Sequence, residues 1–186
     1  MDPELVVRAQ QGDQQAFKTL ALAAHPRLYR IALGVLGDDQ PAEDATQQAL
    51  IAIWRYLPRL RDPERFHGWS YRLLVRACYA EAKHDPKRLP ESAMSGEREP
   101  RATDDYLGVV ERERLERGFR RLSVEHRVVI VLRYMLDLPL EQVADALDVP
   151  VSTVKSRQSR ALQALRAAIE ADERLVAPAM RREVAR

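Results

Sequence analysis

Apolar positions along this chain recur every three or four residues, and alternating β-branched runs are scarce, so the pattern predicts an all-α fold. Leu20, Ala24, Leu28, Ile31 and Val35 mark one helix over about 13–36, with Pro26 expected to kink or break it. Gly37-Asp38-Asp39 stops that helix, and Pro41 opens the next as its first residue, running to about Leu57 before Pro58. A loop carrying Arg59, Arg61, Asp62 and Pro63 leads into a helix over roughly 64–83. Residues 84–105 change character, with three prolines, one glycine and no apolar period, and read as a linker. Helical pattern resumes near Tyr106 and continues to about Arg121; Ser123 is placed to cap a helix ending near Leu136. Pro139 opens a short helix through Leu147, Asp148-Val149-Pro150 forms a turn, and a last helix covers about 152–170. The expected organisation is two small helical domains, 1–84 and 106–170, joined by a flexible acidic linker, 85–105. A tail, 171–186, is read as a frayed helix or a disordered end.

Composition acts mainly by exclusion. No run of about 18 apolar residues exists, so no membrane insertion is expected. Met1-Asp2-Pro3-Glu4 is acidic and lacks an apolar segment, so no secretory signal is expected either. The single cysteine, Cys78, excludes an intramolecular disulfide and reads as a small apolar residue. His25, His67, His84 and His126 are scattered, and the phosphate-cradling glycine motifs are absent. A cytoplasmic protein with no metal, no cofactor and no catalytic site is the resulting expectation. Net charge is only +2, but 26 of the 30 basic residues are arginine, and slightly basic blocks flank the acidic 91–105 stretch.

The sharpest motif runs from Leu140 to Arg157. Leu140, Val143, Ala144 and Leu147 form one apolar stripe; a three-residue turn and a second amphipathic helix follow. This is the layout of a helix-turn-helix, whose second helix enters a major groove. At 100° per residue, Val154, Ala161, Leu162 and Leu165 turn inward. Ser152, Ser156 and Arg160 face the other way, flanked by Thr153 and Arg157 on one shoulder and Lys155 on the other. Hydroxyls beside arginines suit phosphate anchoring and base-edge readout.

Two N-terminal helices carry further candidates. In the helix from Pro41, Ala42, Ala45, Ala49, Ile53 and Leu57 make an inward side. The opposite side holds Asp44, Gln47, Gln48, Ile51, Trp54 and Arg55. Ile51 and Trp54 among amides and charges read either as anchors of a protein-binding patch or as a domain edge covered by a neighbouring loop. In the next helix, Phe66, Trp69, Leu73 and Ala77 share a side assigned to the core. Tyr71, Arg72, Arg76 and Tyr79 point elsewhere, and aromatics interleaved with arginines can stack on unpaired bases while holding the backbone.

Taken in order, these segments resemble the two-domain, extracytoplasmic-function sigma factors of bacterial RNA polymerase. Gly12-Asp13-xx-Ala16-Phe17, His25-xx-Leu28-Tyr29-Arg30-Ile31-Ala32, Ala42-Glu43-Asp44-Ala45-Thr46-Gln47 and Phe66-xx-Trp69-Ser70-Tyr71-Arg72 are similar to that family's first domain. Leu122 through Arg166, with Val131-Leu132-Arg133-Tyr134 and Thr153-Val154-Lys155-Ser156-Arg157, is similar to its second. The resemblance implies an alternative sigma factor, a monomer when free, whose partners are core RNA polymerase and promoter DNA, with room for an anti-sigma factor. It implies that Asp44, Gln47, Gln48, Ile51 and Trp54 grip the polymerase. Arg59, Arg61, Arg65, Phe66, His67, Tyr71, Arg72, Arg76 and Tyr79 would then hold the melted −10 element, one base being flipped into a pocket. Ser152, Thr153, Lys155, Ser156, Arg157 and Arg160 would read the −35 duplex, and the acidic linker would thread towards the RNA exit path.

The chain departs from the family pattern at several positions. Arg76 and Ala80 stand where the family usually has Asn and Asp, and Ser70 replaces a usual leucine. Gln158 replaces an apolar residue at the edge of the inward side of the last helix, so its amide needs a partner if buried. Two other functions compete with the sigma-factor reading: a stand-alone helix-turn-helix regulator with an N-terminal sensor domain, and an interaction protein with a degenerate DNA-binding domain.

Overall fold

The computed structural model describes residues 1–84 and 106–183, with side chains over 1–84 and 112–171. The expected linker, 85–105, lies outside the described residues, as do 184–186. Among the described residues eight α-helices follow one another: α1 (Pro3–Gln10), α2 (Gln14–Leu36), α3 (Asp39–Tyr56), α4 (Phe66–His84), α5 (Tyr106–Arg120), α6 (Val124–Ile130), α7 (Leu140–Leu147) and α8 (Val151–Glu183). Two short 3-10 turns, Leu57–Arg59 and Pro63–Arg65, fill the α3–α4 connection. Among the described residues there is no strand, in agreement with the all-α reading.

Local chemistry explains the boundaries. Asp13 caps α2 by accepting the Ala16 N–H at 2.9 Å, and that bond, with Arg8 beside it, lowers the Asp13 pKa. Helix α2 is continuous through Pro26, and ends at Gly37, whose φ of 79° allows the left-handed cap. Ser123 caps α6 as expected, its Oγ accepting the His126 N–H at 3.3 Å. After Ile130 the chain widens into one π-helical turn, Val131–Met135, closed by the Leu136 N–H on the Val131 carbonyl at 3.1 Å. α8 continues to Glu183, past the expected end near 170 and into the tail. α1 was not foreseen; its Gln10 amide donates to the Leu57 and Leu60 carbonyls at 3.1 and 2.6 Å, tying it to the α3–α4 connection.

The α2/α3 hairpin and α4 make the first unit, and α5–α8 the second. Leu20, Ala24, Leu28, Ile31, Val35, Ala42, Ala45, Ala49, Ile53 and Leu57 are all buried, as the periodicity requires. The two units are not held apart: one apolar core runs through both, joining Leu28, Ile31 and Leu74 to Val128, Val131, Leu132, Val143 and Val154. α4 lies against α7, and α2 against α6. A smaller cluster of Leu122, Ile130 and Ala161 holds α5, α6 and α8 together. Cys78 is fully buried, which pushes its thiol up to about 12 and leaves it a packing residue.

Candidate functional site: two polar faces and an arginine-rich seam

Helix α3 presents the mixed face expected from spacing. Ile51 is 60% and Trp54 46% exposed, with Gln47 and Gln48 beside them and Asp44 half-buried. Among the described residues, no loop covers Ile51. Trp54 is propped edge-on by Phe17 of α2 at 4.5 Å between ring centroids. The polar residues are pre-positioned: Asp44 accepts from the Gln40 amide at 3.2 Å, and the Gln48 amide donates to Glu81 of α4. Two apolar anchors inside an ordered polar rim form the arrangement that concentrates binding energy at protein interfaces. Leu22, 67% exposed on α2, is a further apolar residue that spacing did not single out. It lies on the same side of its helix as His25, whose Nε2 is 3.5 Å from Glu43 of α3.

The second group divides. Arg59, Arg61 and Arg65 are exposed on the α3–α4 connection, Arg59 over the Tyr56 ring at 5.6 Å and Arg65 paired with Asp62 at 3.3 Å. His67 is half-buried, and its pKa is lowered by burial first, then by the N-terminal ammonium and Arg27. Phe66 and Tyr71, by contrast, are core side chains, 1% and 3% exposed, and present no ring to a base in this conformation. Helix α4 is packed by α2 and α3 on one side and by α7 on another, so its buried face is wider than a one-sided amphipathic pattern allows. Ser70, Leu74, Val75 and Cys78 are buried with them, while Trp69 and Leu73, assigned to the core, are only half-buried. The Tyr71 hydroxyl is buried with no hydrogen-bond partner among the described residues, and burial raises its pKa against the opposing Arg27 guanidinium, 5.5 Å above the ring.

Arg72, Arg76 and Tyr79 are turned towards the second unit. Arg72 Nε donates to the Asp145 carbonyl at 2.9 Å, and its Nη1 is 3.4 Å from Asp148 Oδ1. Arg76 Nη2 reaches Asp148 Oδ2 at 3.2 Å. Tyr79 lines a groove of about 410 Å³ together with Val124, Leu147, Val149 and Arg157.

The third group sits on the first turns of α8. Val154 and Ala161 are fully buried, fixing the helix against α7. Ser152, Lys155 and Arg160 are exposed, and Thr153, Ser156 and Arg157 half-buried, with the Ser156 hydroxyl donating to the Thr153 carbonyl at 3.0 Å. Gln158 has the partner its position demands: its amide donates to the Tyr134 hydroxyl at 2.7 Å. The α7–turn–α8 geometry is that of a helix-turn-helix, with Asp148 in the left-handed conformation at φ 58°. No cluster of three or more metal-ligating side chains occurs among the described residues, and none of their helices is long and apolar enough to cross a membrane.

Two family models match the chain. The family model described as Sigma-70 region 2 matches residues 20–85, and that described as Sigma-70, region 4 matches 118–167. The chain is 30% identical over 177 residues to the ECF RNA polymerase sigma-E factor of Escherichia coli, covering 88% of this chain and 92% of that protein. It is 28% identical over 182 residues to the RNA polymerase sigma-H factor of Pseudomonas aeruginosa, covering 91% and 94%. Among solved structures, CnrH bound to the cytosolic domain of CnrY superposes with a TM-score of 0.66 at 23% identity, over 92% of this chain and 98% of that one. The sigma factor RpoE of Bartonella quintana, in complex with the anti-sigma factor NepR, superposes with a TM-score of 0.63 at 20% identity, over 84% and 98%. These likenesses give the fold.

Proposed function

Because this chain belongs to the ECF sigma factors of the sigma-70 family, and is an alternative sigma factor, we propose which of its surfaces carries each step of transcription initiation. The observation that carries the proposal is the α3 face, where Ile51 and Trp54 stand exposed among ordered amides and carboxylates. A helix-turn-helix that bound DNA by itself would gain nothing from such anchors; a subunit that must dock on a large enzyme needs them. The α3 face therefore binds core RNA polymerase through Asp44, Gln47, Gln48, Ile51 and Trp54.

The basic α3–α4 connection, Arg59, Arg61 and Arg65, holds the strand of the opened −10 element, joined by His67, Arg72, Arg76 and Tyr79. The opening turns of α8 read the −35 duplex: Ser152, Thr153 and Ser156 lie nearest the bases, while Lys155 and Arg160 neutralise phosphates. Arg157, one turn in, reaches a base edge. Phe66 and Tyr71 act from beneath, as the floor that sets the height of the −10 surface. Nothing in this division of labour requires a catalytic group on the chain; nucleotide addition belongs to the polymerase. An anti-sigma factor is a further partner in the proposal, and the cytoplasm its setting.

Native co-purification with core polymerase, followed by run-off transcription, tests the whole reading. The expected result is a stoichiometric complex that starts transcripts core polymerase alone does not. A chain that leaves core polymerase unbound and silent would overturn it.

A further inference from the structure

The seam between the two units has an unusual construction. The last turn of α2 carries no basic residue, and neither does the last turn of α7. Both helix ends therefore expose carbonyl groups with partial negative charge and no cation of their own. Each receives an arginine from the other unit. Arg127 of α6, only 8% exposed, directs Nη1 to the Leu36 carbonyl at the end of α2, 3.4 Å away. Arg72 of α4 donates Nε to the Asp145 carbonyl at the end of α7 at 2.9 Å. Around the second cap, the Asp148 carboxylate lies 3.4 Å from Arg72 and 3.2 Å from Arg76.

A second observation is independent of charge. Gly34 lies inside α2, where glycine costs about 1 kcal/mol relative to alanine. A Cβ there would stand 3.1 Å from Val131 Cγ2 and 3.3 Å from Met135 Sδ, and the three nearest atoms all belong to the second unit. The missing side chain is thus explained by contact with the π-helical turn that follows α6, not by packing within the first unit.

We propose that the free chain is held closed by these reciprocal arginine caps, and that the closed form withholds Arg72, Arg76, Tyr79 and Arg157 from DNA. Asp148 occupies Arg72 and Arg76 as a phosphate would, and Arg157 of α8 lines the same interdomain groove as Tyr79 of α4. Single-stranded DNA and the seam compete for the same guanidinium groups, so binding must follow opening. The withholding rests on the DNA roles given above to Arg72, Arg76, Tyr79 and Arg157; the closure does not.

The test uses the full chain with dyes on Thr19→Cys and Gln163→Cys, both exposed and one in each unit; Cys78, buried with its thiol raised to about 12, stays unlabelled. Gly34→Leu improves helix propensity while wedging the units apart. Asp148→Asn keeps a residue that tolerates the left-handed conformation and removes only the charge. Energy transfer is expected to be high in the parent chain, lower in Asp148→Asn and lowest in Gly34→Leu, with helical circular dichroism unchanged. Affinity of the free chain for a single-stranded −10-type oligonucleotide should rise in the same order. If the open form is about one tenth of the parent population, full opening tightens binding about tenfold. Unchanged energy transfer in a folded Gly34→Leu chain would overturn the closure. Lowered transfer with no gain in oligonucleotide affinity would overturn the withholding. Polymerase co-purification of the parent chain reports separately on the sigma-factor roles, so the two failures cannot be confused.

Discussion

Replacing Ile51 with glutamate separates binding from folding. In the free protein Ile51 is 60% exposed, so the substitution removes few internal contacts and the fold should tolerate it. In the complex the same position closes against the polymerase. Full burial of an isoleucine is worth about 1.5–3 kcal/mol, and the exposed share leaves roughly 1–2 kcal/mol still to be gained on docking. Glutamate forfeits that gain and adds the cost of desolvating a carboxylate on the face that also carries Asp44, so the total loss should exceed about 3 kcal/mol. That is a weakening of at least about a hundredfold. The assay is a fluorescence titration of labelled chain with core polymerase, with thermal unfolding of each variant recorded alongside. Ile51→Glu should unfold within a few degrees of the parent and show almost no binding at parent-saturating concentrations. Asp44→Ala should weaken binding by less, about tenfold or under, through one lost polar contact. A folded Ile51→Glu chain with parent affinity would refute the assignment of the α3 face.

Other outcomes follow from the same structure. On a panel of single-base −35 variants, Arg160→Ala should weaken holoenzyme binding alike at all sequences and lower the salt slope by about one ion. Arg157→Ala should relax preference at one position by about 1–3 kcal/mol; unchanged preference in both would remove α8 as the reader. Tyr71→Phe deletes a buried hydroxyl with no hydrogen-bond partner among the described residues, so the melting temperature should hold or rise, and a clear fall would show that the hydroxyl is satisfied after all. Burial lowers the His67 pKa, so the folded chain takes up this proton less readily than the unfolded one. Stability should therefore fall as pH drops below the ordinary histidine value of about 6.5, until the lowered native pKa is passed. His67→Gln should flatten that part of the curve, and an unaltered curve would show that another group is responsible.

Much of this was legible because helical periodicity is local. The buried stripe of α2, the alanine side of α3, the Ser123 cap and the inward Val154 and Ala161 all follow from residues three or four apart. The exposed Ile51 and Trp54 were visible for the same reason: they interrupt a polar face. What escaped depends on partners far away in the chain. Spacing shows that α4 has an apolar side, but not that Arg27 of α2 lies over the Tyr71 ring, so Tyr71 reads as exposed when it is buried. Arg72 and Arg76 read as free cations because Asp145 and Asp148 lie more than seventy positions further along the chain. Nothing local marks Arg127 as an arginine whose acceptor is the Leu36 carbonyl. The one usable signal was negative: two helices without a cation in their last turn, and a glycine inside a helix.

The measurement that bears most directly on the assignment is site-specific photocrosslinking in a reconstituted holoenzyme on promoter DNA. A photoreactive side chain is placed in turn at Arg55 beside Trp54, at Arg61 on the α3–α4 connection, and at Ser156 on α8. The account predicts three separate products: polymerase subunit from position 55, a single strand at the −10 element from 61, and duplex at the −35 element from 156. Crosslinks to DNA from position 55, or none at the −35 element from position 156, would contradict it.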